Sequence, residues 1–143
     1  MKNHRSFLYF SCVAVLTAIS LTAFNATYQQ DGYIFERENS IKKTEPGPHN
    51  GGGSTTAFSF FDKGKDVKLA FRKRILHKGS SIGYHLQETQ EVYYILTGKG
   101  ILTMNGKEIP VQPGDAILTM PGSSHGLKPA DNKDLTVLIT YEK

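Results

Sequence analysis

From residue 56 onward the chain consists of short apolar runs separated by turn residues. Strands are expected at 56–61, 69–77, 81–87, 91–97, 100–104, 107–111, 116–120, 124–129 and 135–141, each close to the usual length of a strand and rich in β-branched or aromatic residues. Asn105-Gly106 is the strongest hairpin signal, because both residues tolerate the positive φ of a tight turn. Pro113-Gly114-Asp115 is the next. Beyond the N-terminal apolar stretch no amphipathic helical period is visible, so the pattern predicts an all-β, double-sheet jelly roll.

The first 55 residues behave differently. Lys2 and Arg5 precede the charge-free, mostly apolar stretch 6–24, which has the build of a signal peptide. Cleavage after Ala23 or Ala26 is expected, giving an exported protein, periplasmic or secreted; an uncleaved anchor is the alternative, since 6–24 is close to membrane-spanning length. Residues 27–55 are expected to form an irregular arm, because Glu45-Pro46-Gly47-Pro48-His49-Asn50-Gly51-Gly52-Gly53 disfavours a regular element. This stretch reads either as a linker or as a loop over a barrel mouth that brings His49 near the pocket. A single globular domain then occupies 56–143, without an internal repeat.

Composition narrows the chemistry. Cys12 is the only cysteine and lies in the leader, so disulfides, thiolate ligands and a cysteine nucleophile are absent from the expected mature chain. Of 17 basic residues the leader removes Lys2 and Arg5, and of 13 acidic ones it removes none, which leaves a charge of about +2 and no argument for a nucleic-acid partner. No phosphate-cradling Gly-Lys-Ser/Thr loop and no nucleophile elbow occur.

What does stand out is a set of nitrogen and oxygen donors. Side chains alternate along a strand, so His85 and Gln87 project from one side of the sheet. Glu91 opens the next apolar run, and His125 follows the turn Pro121-Gly122-Ser123-Ser124. Imidazole, carboxylate and amide oxygen are donors that a borderline or hard divalent cation accepts. His85, Gln87, Glu91 and His125 are therefore the candidate metal ligands, and a relic cage that binds no metal is the bland alternative.

Those residues and their glycines resemble the cupin superfamily over roughly residues 69–141. The first cupin motif is matched by Gly79, His85-Leu86-Gln87, Glu91 and Gly98 at the expected spacings, with Gln87 where a second histidine is usual. The second is matched by Gly114, Gly122 and His125, with Met120 at the proline position and Pro129 at the closing asparagine. The resemblance implies a cupin-type double-stranded β-helix. It also implies a divalent metal, with Mn²⁺, Fe²⁺ or Ni²⁺ suited to the donors and Zn²⁺ possible, and a homodimer built by sheet-to-sheet packing. His85, Glu91 and His125 alone would form a two-histidine, one-carboxylate face, with Gln87 as a fourth ligand or a hydrogen-bonding neighbour.

Two functional classes follow. One is a metal-dependent enzyme acting on a small polar or anionic molecule, of dioxygenase, isomerase, decarboxylase or lyase type, with no catalytic residue assignable. The other is a binding module for a small molecule or the metal itself, because a fold does not fix a reaction. Tyr93 shares the face of Glu91 and is a candidate substrate contact or a core aromatic. Arg72 and Arg74 share one face of their strand and are candidate anion contacts or a solvated face, and Met120 flanks a ligand-bearing segment.

Overall fold

In the computed structural model, which describes residues 32–143, a compact unit spans Ile34–Lys143. The leader and the start of the arm lie outside the described residues. Ten strands follow one short helix, α1 (Glu38–Ile41): β1 (Lys42–Pro46), β2 (Ser54–Phe60), β3 (Leu69–Leu76), β4 (Ile82–Leu86), β5 (Glu91–Thr97), β6 (Gly100–Met104), β7 (Lys107–Val111), β8 (Ala116–Thr119), β9 (Ser124–Pro129) and β10 (Leu135–Glu142). All nine segments expected from alternation are strands, four with the expected bounds and five with an end moved by one or two residues. Asn105 and Gly106 take φ of 47° and 78°, as the β6–β7 hairpin requires.

The strands form a six-stranded sheet, β1-β2-β3-β10-β5-β8, and a four-stranded sheet, β4-β9-β6-β7. Every pairing is antiparallel. The chain is thus the expected double-sheet jelly roll. One face of each sheet supplies the core, in which Leu76, Ile95, Leu102, Leu127, Leu135 and Val137 are all at most 2% exposed. Along β5 and β10 the alternation is clean: Tyr93 and Ile95 point inward with Val137 and Ile139, while Tyr94 and Leu96 point out.

The irregular arm needs correcting. Lys42–Pro46 pairs in full register with Ser54–Phe58 as β1, and β2 already begins at Ser54, so a boundary at residue 55 cuts through a strand. Lys-Lys-Thr-Glu-Pro has no apolar residue to announce a strand, and its place at the sheet edge explains why Pro46 is tolerated. A second departure is Arg74, which faces inward from β3 and is buried at 6% exposure. Its guanidinium donates to Thr55 Oγ1 at 2.7 Å and to Glu45 Oε2 at 3.1 Å, so the edge strand supplies the counter-ion that a buried cation needs.

Candidate metal centre

The two sheets converge at one end of the barrel, and three donors meet there. His85 on β4 lies directly opposite His125 on β9, after a register shift between Ile82 and His85. Glu91, the first residue of β5, reaches in from the larger sheet, opposite Thr119 of β8 and Tyr141 of β10. One ligand atom from each of His85, Glu91 and His125 lies within 4.8 Å of the others, and this group could hold an ion.

Hydrogen bonding orients both rings. His85 Nδ1 lies 2.8 Å from the Gly83 carbonyl oxygen, which can only accept, so Nδ1 carries a proton and in the neutral ring the lone pair is on Nε2. His125, fully buried, has its Nδ1 2.9 Å from the Thr119 hydroxyl. The two Nε2 atoms are 3.2 Å apart. Glu91 Oε2 lies 3.2 Å from His125 Nε2 yet makes no hydrogen bond, and it is buried. Distance alone makes that contact an ion pair, and the Thr119 hydroxyl, which can donate or accept, serves either tautomer of His125. A buried carboxylate oxygen without a hydrogen bond, set beside two imidazoles, is costly as it stands. A divalent cation satisfies all three atoms at once, so the residues present fit a metal.

Around this group lies a cavity of about 530 Å³ whose walls include Arg72, Arg74, Gln87, Tyr93 and His49. The pairing of Arg72 with Arg74 on one face is therefore observed, with different consequences for each. Arg74 is engaged by Glu45 and Thr55. Arg72 lies over the Tyr141 ring at 5.4 Å, and among the described residues no carboxylate is within ion-pair distance of it. Gln87 lines the cavity just past the end of β4, with its backbone fixed by bonds to Ser123 and Gly122. Tyr93 is both core and wall: it is 2% exposed and its ring stacks on His125 with centroids 5.0 Å apart. Burial, reinforced by the Glu91 carboxylate, pushes its phenol well above the ordinary tyrosine range, so it stays protonated.

His49 is the loop residue that reaches the site, stacked on His85 with centroids 3.5 Å apart. Desolvation against that ring, together with the neighbouring His85, holds its imidazole below the usual histidine range. Met120 does not reach the site. Thr119 uses the inward position of β8, so the next residue turns outward, where Met120 is 48% exposed and borders a separate, mostly apolar cavity of about 670 Å³ between β7 and β8. Sequence reasoning missed Thr119 and Tyr141. Alternation along 135–141 offers a signal for Tyr141, whereas Thr119 needs the β5–β8 register.

Comparison with known proteins agrees with this geometry. A family model described as a cupin domain matches residues 73–141. That stretch is a cupin domain. An oxalate-binding protein of Thermotoga maritima is 42% identical over 69 residues, 48% of this chain and 57% of that protein. An uncharacterized protein of Methanocaldococcus jannaschii is 33% identical over 75 residues, 52% of this chain and 60% of its own length. The chain thus spans less than two thirds of either curated relative. Among solved structures, a Thermotoga maritima protein described as a predicted oxalate decarboxylase superposes with a TM-score of 0.67 at 29% identity, covering 76% of this chain and 98% of that one. An RmlC-like cupin of Shewanella frigidimarina, at 19% identity and TM-score 0.59 over 77% and 90% of the two chains, shares the fold.

Proposed function

We propose that this cupin is exported, binds a divalent metal through His85, Glu91 and His125, and takes a small anionic molecule into the cavity beside them. The observation that carries the reading is the buried Glu91 Oε2 without a hydrogen bond, beside the imidazoles of His85 and His125, with one ligand atom of each residue within 4.8 Å of the others. Gln87 is the fourth donor or a hydrogen-bonding neighbour. Mn²⁺, Fe²⁺ and Ni²⁺ suit this donor set, and Zn²⁺ is compatible with it. The metal when bound supplies a Lewis acid for an oxygen of the bound molecule. Arg72, with no carboxylate partner among the described residues, supplies a guanidinium for the anion's negative charge. Tyr93 keeps its phenolic proton and so acts as a donor at most. Similarity to an oxalate-binding protein supports a small anionic ligand. Export rests on the charge-free stretch 6–24 behind Lys2 and Arg5.

Ligand binding without turnover is the second reading, favoured by Gln87, a weaker donor than the histidine it replaces. Metal analysis of the purified protein separates a working site from a relic. About one Mn²⁺, Fe²⁺, Ni²⁺ or Zn²⁺ per chain is expected, and a His85→Ala, His125→Ala double variant is expected to retain none. Unchanged stoichiometry in that variant would sink the ligand assignment. With the metal in place, turnover of small carboxylic acids against simple retention of them distinguishes enzyme from binder.

A further inference from the structure

The stretch 47–53 has the composition of a linker, but it is seated firmly against β4. Gly83 and Gly51 both donate their N–H to the Pro48 carbonyl at 3.0 Å, and the Ser81 hydroxyl donates to the Gly51 carbonyl at 2.6 Å. The approach leaves no room for side chains. A Cβ on Gly51 would strike the Ser81 carbonyl, and one on Gly83 would strike the carbonyl of His49. Between them, His49 and Asn50 adopt φ of 52° and 60°, a left-handed pair that turns the loop back on itself. Two close approaches and two left-handed residues have one product: the imidazole of His49 lies flat on that of His85, with 3.5 Å between centroids and 3° between planes.

A parallel stack cannot share a metal. The lone pair of an imidazole lies in its ring plane, so an ion in line with His85 Nε2 lies out of the plane of a ring stacked 3.5 Å away. Accordingly His49 is outside the group of donors that converge within 4.8 Å. What the stack can do is hold His85. The Gly83 carbonyl fixes the rotation of the His85 ring through Nδ1, and the flat contact fixes the ring's tilt and covers one of its faces. Metal-binding histidines are tuned by such neighbours as much as by the ligand set.

We propose that His49 is a positioning residue of the metal centre, carried to His85 by the glycine-clamped loop and acting through ring stacking. The proposal rests on the metal-binding reading above. It gives the loop a role beside the strand just past whose end Gln87 stands in place of a second histidine ligand.

The test is Mn²⁺ titration of the full chain by calorimetry, with the visible spectrum of the Co²⁺ form as a second readout, in His49→Ala, His49→Gln and His49→Phe. His49 is exposed apart from its stacked face, so all three are expected to melt like wild type without metal. His49→Ala and His49→Gln are expected to bind Mn²⁺ about tenfold more weakly and to shift the Co²⁺ bands. His49→Phe restores a flat ring without a nitrogen and is expected to recover most of the affinity and the wild-type spectrum. Wild-type affinity and spectrum in His49→Ala would overturn the proposal, as would a His49→Phe protein as weak as His49→Ala, which would make a His49 nitrogen the active group. A wild-type chain that binds no metal overturns the metal reading itself, a result distinct from either of these.

Discussion

At the scale of single residues, Glu91 is where the proposed metal and stability meet. Its Oε2 is buried without a hydrogen bond, and an unsatisfied buried polar atom costs about 1–3 kcal/mol, more when charged. A bound cation converts that cost into binding energy that stabilises only the folded state. Two opposite effects of Glu91→Gln follow. The metal-free variant is expected to match or exceed wild type, by up to about 1 kcal/mol, while the rise in melting temperature on adding Mn²⁺ disappears. Thermal melts with and without Mn²⁺ check both; a metal-free variant much less stable than wild type would mean that the carboxylate is held by the protein alone. Arg74 is a contrasting case. Its charge suggests an anion contact, but its place inside the barrel is made tolerable by Thr55 and Glu45, and Glu45 belongs to a strand with no apolar pattern to announce it.

At the scale of elements, the ends of three strands are tied together away from the candidate metal centre. Thr56 Oγ1 on β2 lies 2.9 Å from His77 Nε2 just after β3, and His77 Nδ1 lies 2.8 Å from Asp134 Oδ2 just before β10. Hydroxyl, imidazole and carboxylate are arranged as in a nucleophilic triad, but Thr56 is 6% exposed, so the hydroxyl is closed to a substrate and the chain of bonds acts as a pin. The hydrogen bond from His77 holds the Asp134 carboxyl below its ordinary range, and the Lys78 N–H adds to this. A carboxyl depressed in the folded state stabilises above its unfolded pKa, near 4, and that contribution fades as pH falls through the lower folded value. Melting temperatures of wild type and Asp134→Asn are therefore expected to differ modestly above about pH 4 and to converge below it; parallel curves down to pH 2 would remove the pin's electrostatic part. Strands were legible in the sequence because one buried face imposes alternation, and the candidate donors His85, Glu91 and His125 were legible because they ride on that alternation. Two features needed the fold. β1 is an edge strand stabilised by pairing, without buried apolar side chains of its own, and Met120 was misplaced because the face used by β8 is set by its register with β5, where Thr119 meets Glu91.

At the scale of the whole domain, the outer face of the six-stranded sheet is the odd surface. Tyr94 and Leu96 on β5 and Leu118 on β8 are 41%, 37% and 55% exposed, and with Val92 and Leu138 they make a continuous apolar area across three neighbouring strands. Farther along the same sheet, α1 lies against β2, and its Glu38 pairs with Lys73 of β3, whereas no described element covers β10, β5 and β8 on this side. A second copy meeting this face through the same residues would bury them symmetrically, consistent with the sheet-to-sheet dimer that the cupin resemblance implies. Because Tyr93 and Tyr94 point to opposite sides of β5, such a dimer leaves the metal cavity open on the far face of the sheet. Light scattering is therefore expected to give twice the chain mass for wild type and the single-chain mass for a Tyr94→Glu, Leu118→Glu variant, with Mn²⁺ affinity unchanged between them. A wild-type monomer at micromolar concentration would refute the dimer, and a variant that lost both dimer and metal would show that the two faces of the sheet are coupled.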